Sequence, residues 1–162
     1  MRGKWHKRFY DLAVHVATWS KDPSTKVGAC IVNADNQVLS LGFNGFPRGI
    51  FDFAKRYEDK ETKYLFVSHA ERNALDNAFG DTRGATLYTT LFPCNECAKG
   101  IIQKGIGTIV TPQPDKSRTH NHYDITIKMM REAEIQVLFI ENFLDIDYED
   151  DLSADGDSQV TP

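Results

Sequence analysis

The order of hydrophobic patterns predicts an α/β domain, a mixed sheet with helices on both faces. Three observations carry this. An amphipathic helical repeat opens the chain, two apolar runs separated by turn residues follow it, and helical and strand patterns then alternate to about residue 140. In the opening segment Trp5, Phe9, Leu12, Val16 and Trp19 recur at spacings of three and four, which makes one core-facing stripe. Ser20-Lys21-Asp22-Pro23-Ser24 breaks that helix. Val27 to Val32 is nearly continuous in apolar residues and reads as a buried strand. The turn residues Asn33-Ala34-Asp35-Asn36 lead to a second strand, Val38 to Phe43, and the two form an antiparallel hairpin.

Gly42 to Gly49 carries three glycines and a proline, so it is a shaped loop. The segment from Phe51 to Tyr64 reads as irregular with some helix. His69 to Phe79 is helical, with Ser68 as its expected N-cap and Gly80 as its stop. Ala85 to Leu91 is a strand, Asn95 to Lys104 a helix closed by Gly105, and Gly107 to Thr111 a strand. A helix within Thr119 to Glu132 and a last strand, Ile135 to Ile140, complete the order α-β-β-α-β-α-β-α-β.

Composition bounds the function. The chain has 162 residues with 41% hydrophobic and 26% charged residues, enough for one domain with one core. We expect that domain over 1–144 and an acidic, disordered tail over 145–162. The tail holds seven acidic residues and no Lys or Arg, so the net charge of -4 hides a body with 19 basic and 16 acidic residues. A body at net +3 suits a phosphate but not a nucleic-acid groove. No apolar stretch is long enough to span a membrane and no leader-like block follows the N-terminus. Three cysteines form no even disulfide set, so a reducing, cytoplasmic setting is expected. Cys30, inside the apolar run, is expected to be a buried thiol.

Cys94 and Cys97 differ, because they form a C-x-x-C pair at a predicted helix start, after Pro93. That spacing brings both sulfurs to one side of the first turn, where the helix dipole favours thiolate. His69 begins the other helix of interest and adds a nitrogen ligand. One His and two Cys leave a tetrahedral position open, which distinguishes a catalytic zinc from a structural one. Glu71, two residues after His69, is placed to move protons beside a water whose pKa the metal lowers. No second C-x-x-C exists, and His6, His15, His120 and His122 make no zinc-finger pattern.

His69-Ala70-Glu71 followed by Pro93-Cys94-Asn95-Glu96-Cys97 resembles the H-x-E…P-C-x-x-C signature of zinc-dependent nucleobase deaminases. The flanking blocks narrow the resemblance to the cytidine and deoxycytidylate deaminase family, and within it to the deoxycytidylate (dCMP) branch. These blocks are Lys21 to Ala29, Gly42 to Gly49, Thr62-Lys63-Tyr64, Ser68 to Ala74 and Leu91 to Lys99, within about Lys21 to Phe139. The resemblance implies a three-layer α-β-α, cytidine-deaminase-like fold with a mixed five-stranded sheet. It also implies hydrolysis of dCMP to dUMP and ammonia, supplying dUMP for thymidylate synthesis. In that reaction water attacks C4, and Glu71 protonates N3 and then the departing amine. Asn44 is expected at the deoxyribose, with Ser68 and Phe92 beside the substrate. Lys26, Lys116 and Arg118 are candidates for the 5′-phosphate, and Tyr123 for a pocket wall.

Many members of that family are hexamers activated by dCTP and inhibited by dTTP, with Mg2+ on the triphosphate. The resemblance therefore implies an effector site involving Asn44, Gly45, Arg48 and Lys63. Two departures stand out. The segment between Gly49 and Ser68 lacks Cys and His, so one zinc per subunit is expected. Asp115-Lys116-Ser117 stands where many relatives have Asp-Lys-Tyr, which leaves dCTP open as a second substrate. Free cytidine deamination, tRNA adenosine deamination and a catalytically dead zinc module are the other readings. The flanking blocks oppose the first two, weak basic character opposes the RNA substrate as well, and Glu71 opposes the third.

Overall fold

The computed structural model describes residues 2–146. The expected tail therefore lies outside the described residues apart from its first two. Helix α1 (Arg2–Ala17) precedes strands β1 (Gly28–Val32) and β2 (Val38–Phe43). Two short helices follow, α2 (Ala54–Glu58) and α3 (Lys60–Phe66), then α4 (Ala70–Asn77), β3 (Thr86–Thr89), α5 (Asn95–Gln103), β4 (Thr108–Thr111), α6 (Tyr123–Glu132) and β5 (Gln136–Phe139). The sheet order is β2-β1-β3-β4-β5. β1 pairs antiparallel with both β2 and β3, while β3, β4 and β5 run parallel. This is the expected mixed five-stranded sheet.

Strand alternation sorts the core into two layers. Ala29, Ile31, Leu87 and Ile109 face α4, α5 and α6, where Ala74, Leu75, Ala98, Ile101 and Met130 meet them. Their neighbours Cys30, Val32, Tyr88 and Val110 face α1, where Phe9 and Ala13 meet them. β1 is buried along its whole length, which is why it reads as an unbroken apolar run. Each fully buried Leu or Ile here contributes about 1.5–3 kcal/mol of transfer free energy.

Two glycines let helices approach this strand pair. A Cβ at Gly28 would lie 2.0 Å from the Ala13 carbonyl oxygen of α1, and one at Gly42 would lie 2.3 Å from the Ala70 carbonyl oxygen of α4. Ser40 of β2 adds a hydrogen bond from its Oγ to the Ala74 carbonyl, 2.6 Å. Together these seat α4, and with it the residues at its start.

The structure corrects four local readings. Trp5 and Trp19 do not complete the buried stripe: they are 38% and 47% exposed. Trp5 stacks on Phe9 under the Arg8 guanidinium, and Trp19 meets the edge of Phe43, so each covers the rim of the core. Ser68 does not cap α4. Its backbone is paired with Gly45, and His69 occupies the N-cap position with no side-chain cap bond. Gly80 has φ of +81°, yet α4 stops earlier, at Asn77. The segment between Phe51 and Tyr64 is more ordered than expected, because Asp59 caps α3 by accepting from the Thr62 amide at 2.9 Å.

Because the obstacle at Gly42 is helix backbone, Gly42→Ala should destabilise the fold by about 1–3 kcal/mol through overpacking. Thermal unfolding of the variant should show a lowered Tm together with reduced metal retention.

Candidate metal and catalytic centre

The chemistry-bearing residues sit where two helices begin. His69 and Cys94 are the N-cap residues of α4 and α5, with nearly the same backbone angles (φ −71°, ψ 154° and φ −71°, ψ 169°). Their carbonyls accept the first helical bonds, from Asn73 and Ala98. Their side chains are free of capping and turn towards each other. Cys97, one turn into α5, joins them. His69 Nδ1 lies 3.5 Å from Cys94 Sγ and 3.3 Å from Cys97 Sγ, and the three ligand atoms lie within 4.8 Å of one another. Metal–ligand bonds of about 2.0–2.3 Å at tetrahedral angles put ligand atoms about 3.4–3.8 Å apart, and both His69–sulfur distances come close to that spacing.

Electrostatics point the same way. Cys94 is held down to about 4 by a hydrogen bond from Cys97, against its burial and with help from His69. Cys97 is pushed up, because its proton is held in the hydrogen bond to Cys94 and its site is buried, with the Glu71 charge adding to both. A cation held between them would favour the thiolate form of both sulfurs. Cys30 is separate: it packs in the α1 layer, away from this cluster, and burial pushes its thiol up to about 12.

Glu71, in the first turn of α4, is 4% exposed. Its Oε1 accepts from Thr89 Oγ1 at 3.3 Å, and its Oε2 from Cys97 Sγ at 3.8 Å. Burial is the main reason its carboxyl lies above the usual range, with the His69 charge opposing it. A carboxyl whose pKa is raised by burial suits a group that both takes and releases a proton in a reaction cycle.

His69, Cys94 and Glu71 lie in a cavity of roughly 600 Å³, of the size that holds a small organic ligand. Val27, Leu91 and Phe92 form apolar walls. Tyr123 is one layer behind: its ring meets Phe92 edge-on at 5.2 Å, and its hydroxyl accepts from Asn121 Nδ2 at 2.7 Å. Asn44, Lys63 and Arg118 line the cavity as well.

Other expected contacts do not line it. Lys26 and Lys116 are exposed outside the cavity, because their loops turn these side chains to solvent. Ser68 is held by its backbone bridge to Gly45, and Arg48 is bonded to Asn77. Gly45 also lies outside. The four residues expected at an effector site are therefore split, since Asn44 and Lys63 share the cavity with Glu71. A second cavity, roughly 360 Å³ between Trp5, His6, Asn36 and Tyr88, contains none of them.

Sequence reading missed Asp22, Lys60, His120, Asn121 and Thr89. Asp22-Pro23-Ser24 carried a usable signal, because Asp followed two residues later by Ser is turn chemistry. The others had none, since only the fold brings Lys60, His120 and Asn121 to the cavity and Thr89 to Glu71.

A sheet of this topology with a His/Cys/Cys centre and a buried carboxylate at two helix starts defines a zinc-dependent deaminase class. Residues 3–112 match the family described as the cytidine and deoxycytidylate deaminase zinc-binding region, and the chain belongs to that family. It is 40% identical to an uncharacterized deaminase from the luxG 3′ region of Aliivibrio fischeri, over 86% of this chain and 96% of that protein. It is 45% identical to human deoxycytidylate deaminase over 113 residues, spanning 66% of this chain but only 64% of the human protein. Among solved structures, dCMP deaminase from cyanophage S-TIM5 shares the fold, with a TM-score of 0.66 at 24% identity over 83% of this chain and 95% of that one. A Thermotoga maritima diaminohydroxyphosphoribosylaminopyrimidine deaminase/reductase aligns with a TM-score of 0.65 at 25% identity, over 86% of this chain and 37% of its own. Among the described residues no helix is long and apolar enough to cross a membrane.

Metal analysis of the purified chain should find one zinc per chain. Cys97→Ser should lose most of it, since the ligand set falls below three strong donors; atomic emission checks both.

Proposed function

We propose that this chain hydrolyses dCMP to dUMP and ammonia, with residues 1–144 as the catalytic domain. The observation that carries the reading is the buried Glu71 beside the His69/Cys94/Cys97 cluster, in a cavity that also holds the cations Lys60, Lys63 and Arg118. The relatives support the substrate: the mammalian proteins of similar sequence are deoxycytidylate deaminases, and the cyanophage enzyme of the same fold has been captured with dCMP and dUMP.

When bound, a zinc ion held by His69, Cys94 and Cys97 supplies Lewis acidity and an acidified water. The protein's residues do the rest. Phe92, braced by Tyr123, offers a flat wall to the cytosine ring. Asn44 faces the deoxyribose. Glu71 takes a proton from the attacking water as oxygen bonds to C4, and gives it to N3. It then takes the remaining hydroxyl proton and delivers it to the amino group, so the C4–N bond breaks and ammonia leaves with the electrons balanced. Thr89 keeps Oε1 oriented through both transfers. At the outer end Arg118 and Lys60, with His120 beside them, make a cationic rim for the 5′-phosphate. They replace Lys26 and Lys116 in that role.

The family resemblance adds a regulatory reading: a hexamer activated by dCTP and inhibited by dTTP, each carried with Mg2+, engaging Asn44, Gly45, Arg48 and Lys63. The sharing of one cavity by Asn44, Lys63 and Glu71 supports competition at the active site as much as a separate effector site. Ser117 folds back onto Asp115 through its hydroxyl, 2.7 Å, so no ring closes the rim there, which favours tolerance of dCTP as a second substrate.

Glu71→Gln should lower kcat by about 10²- to 10⁴-fold while zinc is retained; near-normal turnover with full zinc would sink the assignment. A panel of dCMP, dCTP, cytidine and adenosine-containing RNA should show dCMP preferred, and sigmoidal dCMP kinetics that dCTP sharpens and dTTP suppresses. Hyperbolic kinetics indifferent to both triphosphates would remove the regulatory reading and leave the catalytic one.

A further inference from the structure

We propose that Lys63 and Asp22 are positioning residues that lock the Asn44 amide in one orientation, and so set affinity for the sugar of the substrate. This rests on the dCMP reading above. The three residues come from separate parts of the chain, namely helix α3, the loop after α1, and the end of β2.

Lys63 is 7% exposed and Asp22 3%. Lys63 Nζ lies 3.2 Å from Asp22 Oδ2 and donates to Asp22 Oδ1 at 3.3 Å and to Ser24 Oγ at 2.7 Å. A buried ion pair brings little net stability, because desolvation offsets its attraction. What this pair does is visible in its further bonds. Asp22 Oδ1 also accepts from the Ser24 amide and hydroxyl, each at 2.9 Å, and from the Thr25 amide at 3.2 Å. One carboxylate thus shapes the whole turn from Asp22 to Thr25, and Lys63 neutralises and tethers it. Burial alone would raise the Asp22 carboxyl, but these donors outweigh it and hold the carboxyl below its usual range.

The shaped turn then holds Asn44. Its Nδ2 donates to the Thr25 carbonyl at 2.8 Å, and its Oδ1 accepts from the Val27 amide at 2.8 Å. A carbonyl on one side and an N–H on the other leave the amide no second orientation. The Asn44 backbone is held as well, by Ser20 Oγ on its carbonyl at 2.8 Å and by the Val27 carbonyl on its amide at 3.2 Å. One Nδ2 hydrogen and one Oδ1 lone pair remain for a ligand in the cavity that Asn44 lines. Lys63, expected at an effector site, has committed two of its three donors to this turn.

The test uses the full-length zinc-loaded chain, with zinc content and Tm measured on each variant. Lys63→Met and Asp22→Asn should each raise KM for dCMP by about ten-fold with kcat within about two-fold, the loss of one charge-assisted hydrogen bond. The same factor should appear in kcat/KM for deoxycytidine, which has no phosphate. The double variant should be no worse than either single one, because both break one connected path. A loss confined to dCMP would mean that Lys63 meets the phosphate itself, and unchanged KM in both variants would mean that the turn holds without the pair; either overturns the proposal. If Lys63→Met does not fold, Ser24→Ala should give a smaller KM shift of the same sign, and no shift there overturns it too. A wild-type chain without dCMP turnover would instead overturn the functional reading, which separates the two failures.

Discussion

Two helices begin at one point, and most of the site depends on that. The first residue of each, His69 for α4 and Cys94 for α5, has the extended backbone of a cap but no cap bond from its side chain. Its side chain is spent on the metal centre instead. The positive ends of both helices meet there, which stabilises the negative charge that two sulfurs and Glu71 bring together. Had either helix a conventional Ser or Asp cap, the centre would lack a ligand. The close seat of α4 against Gly42 helps to place the His69 end of that pair, so a steric fact in the sheet bears on the site.

The cavity handles buried charge in two ways. At one end, Glu71 and Cys94 bring negative charge together beside His69, where a divalent cation would complete the balance. At the other end, Asp22 has a surplus of donors and Lys63 completes a closed set of bonds. The first arrangement is reactive and the second rigid.

Much of the fold could be read from the chain. β1 was legible because burial on both faces makes an unbroken apolar run, and α5 because Pro93 and Gly105 bracket it. Trp5 and Trp19 misled because helical spacing records a face but not its edge, and large rings often cover rims. The cap of α4 was misread for a related reason: Ser68 has the right chemistry, but its backbone was already engaged with Gly45. The metal centre was legible because its residues lie within a few positions of each other on two helix starts. The rest of the cavity lining was legible only in part. The family resemblance pointed to Arg118, which lines the cavity, but also to Lys26 and Lys116, which do not, and nothing in the sequence marked Lys60 or His120, because only the tertiary structure brings their segments there.

Cys30 lies under α1 with its thiol pushed up to about 12, fully enclosed between sheet and helix. Of its three thiols the folded chain therefore turns Cys94 alone to the cavity, while Cys30 and Cys97 stay behind it. That thiol would be masked whenever a metal is held there. The sulfur chemistry of this molecule is thus a gauge of its loading, silent when the centre is filled and audible when it empties.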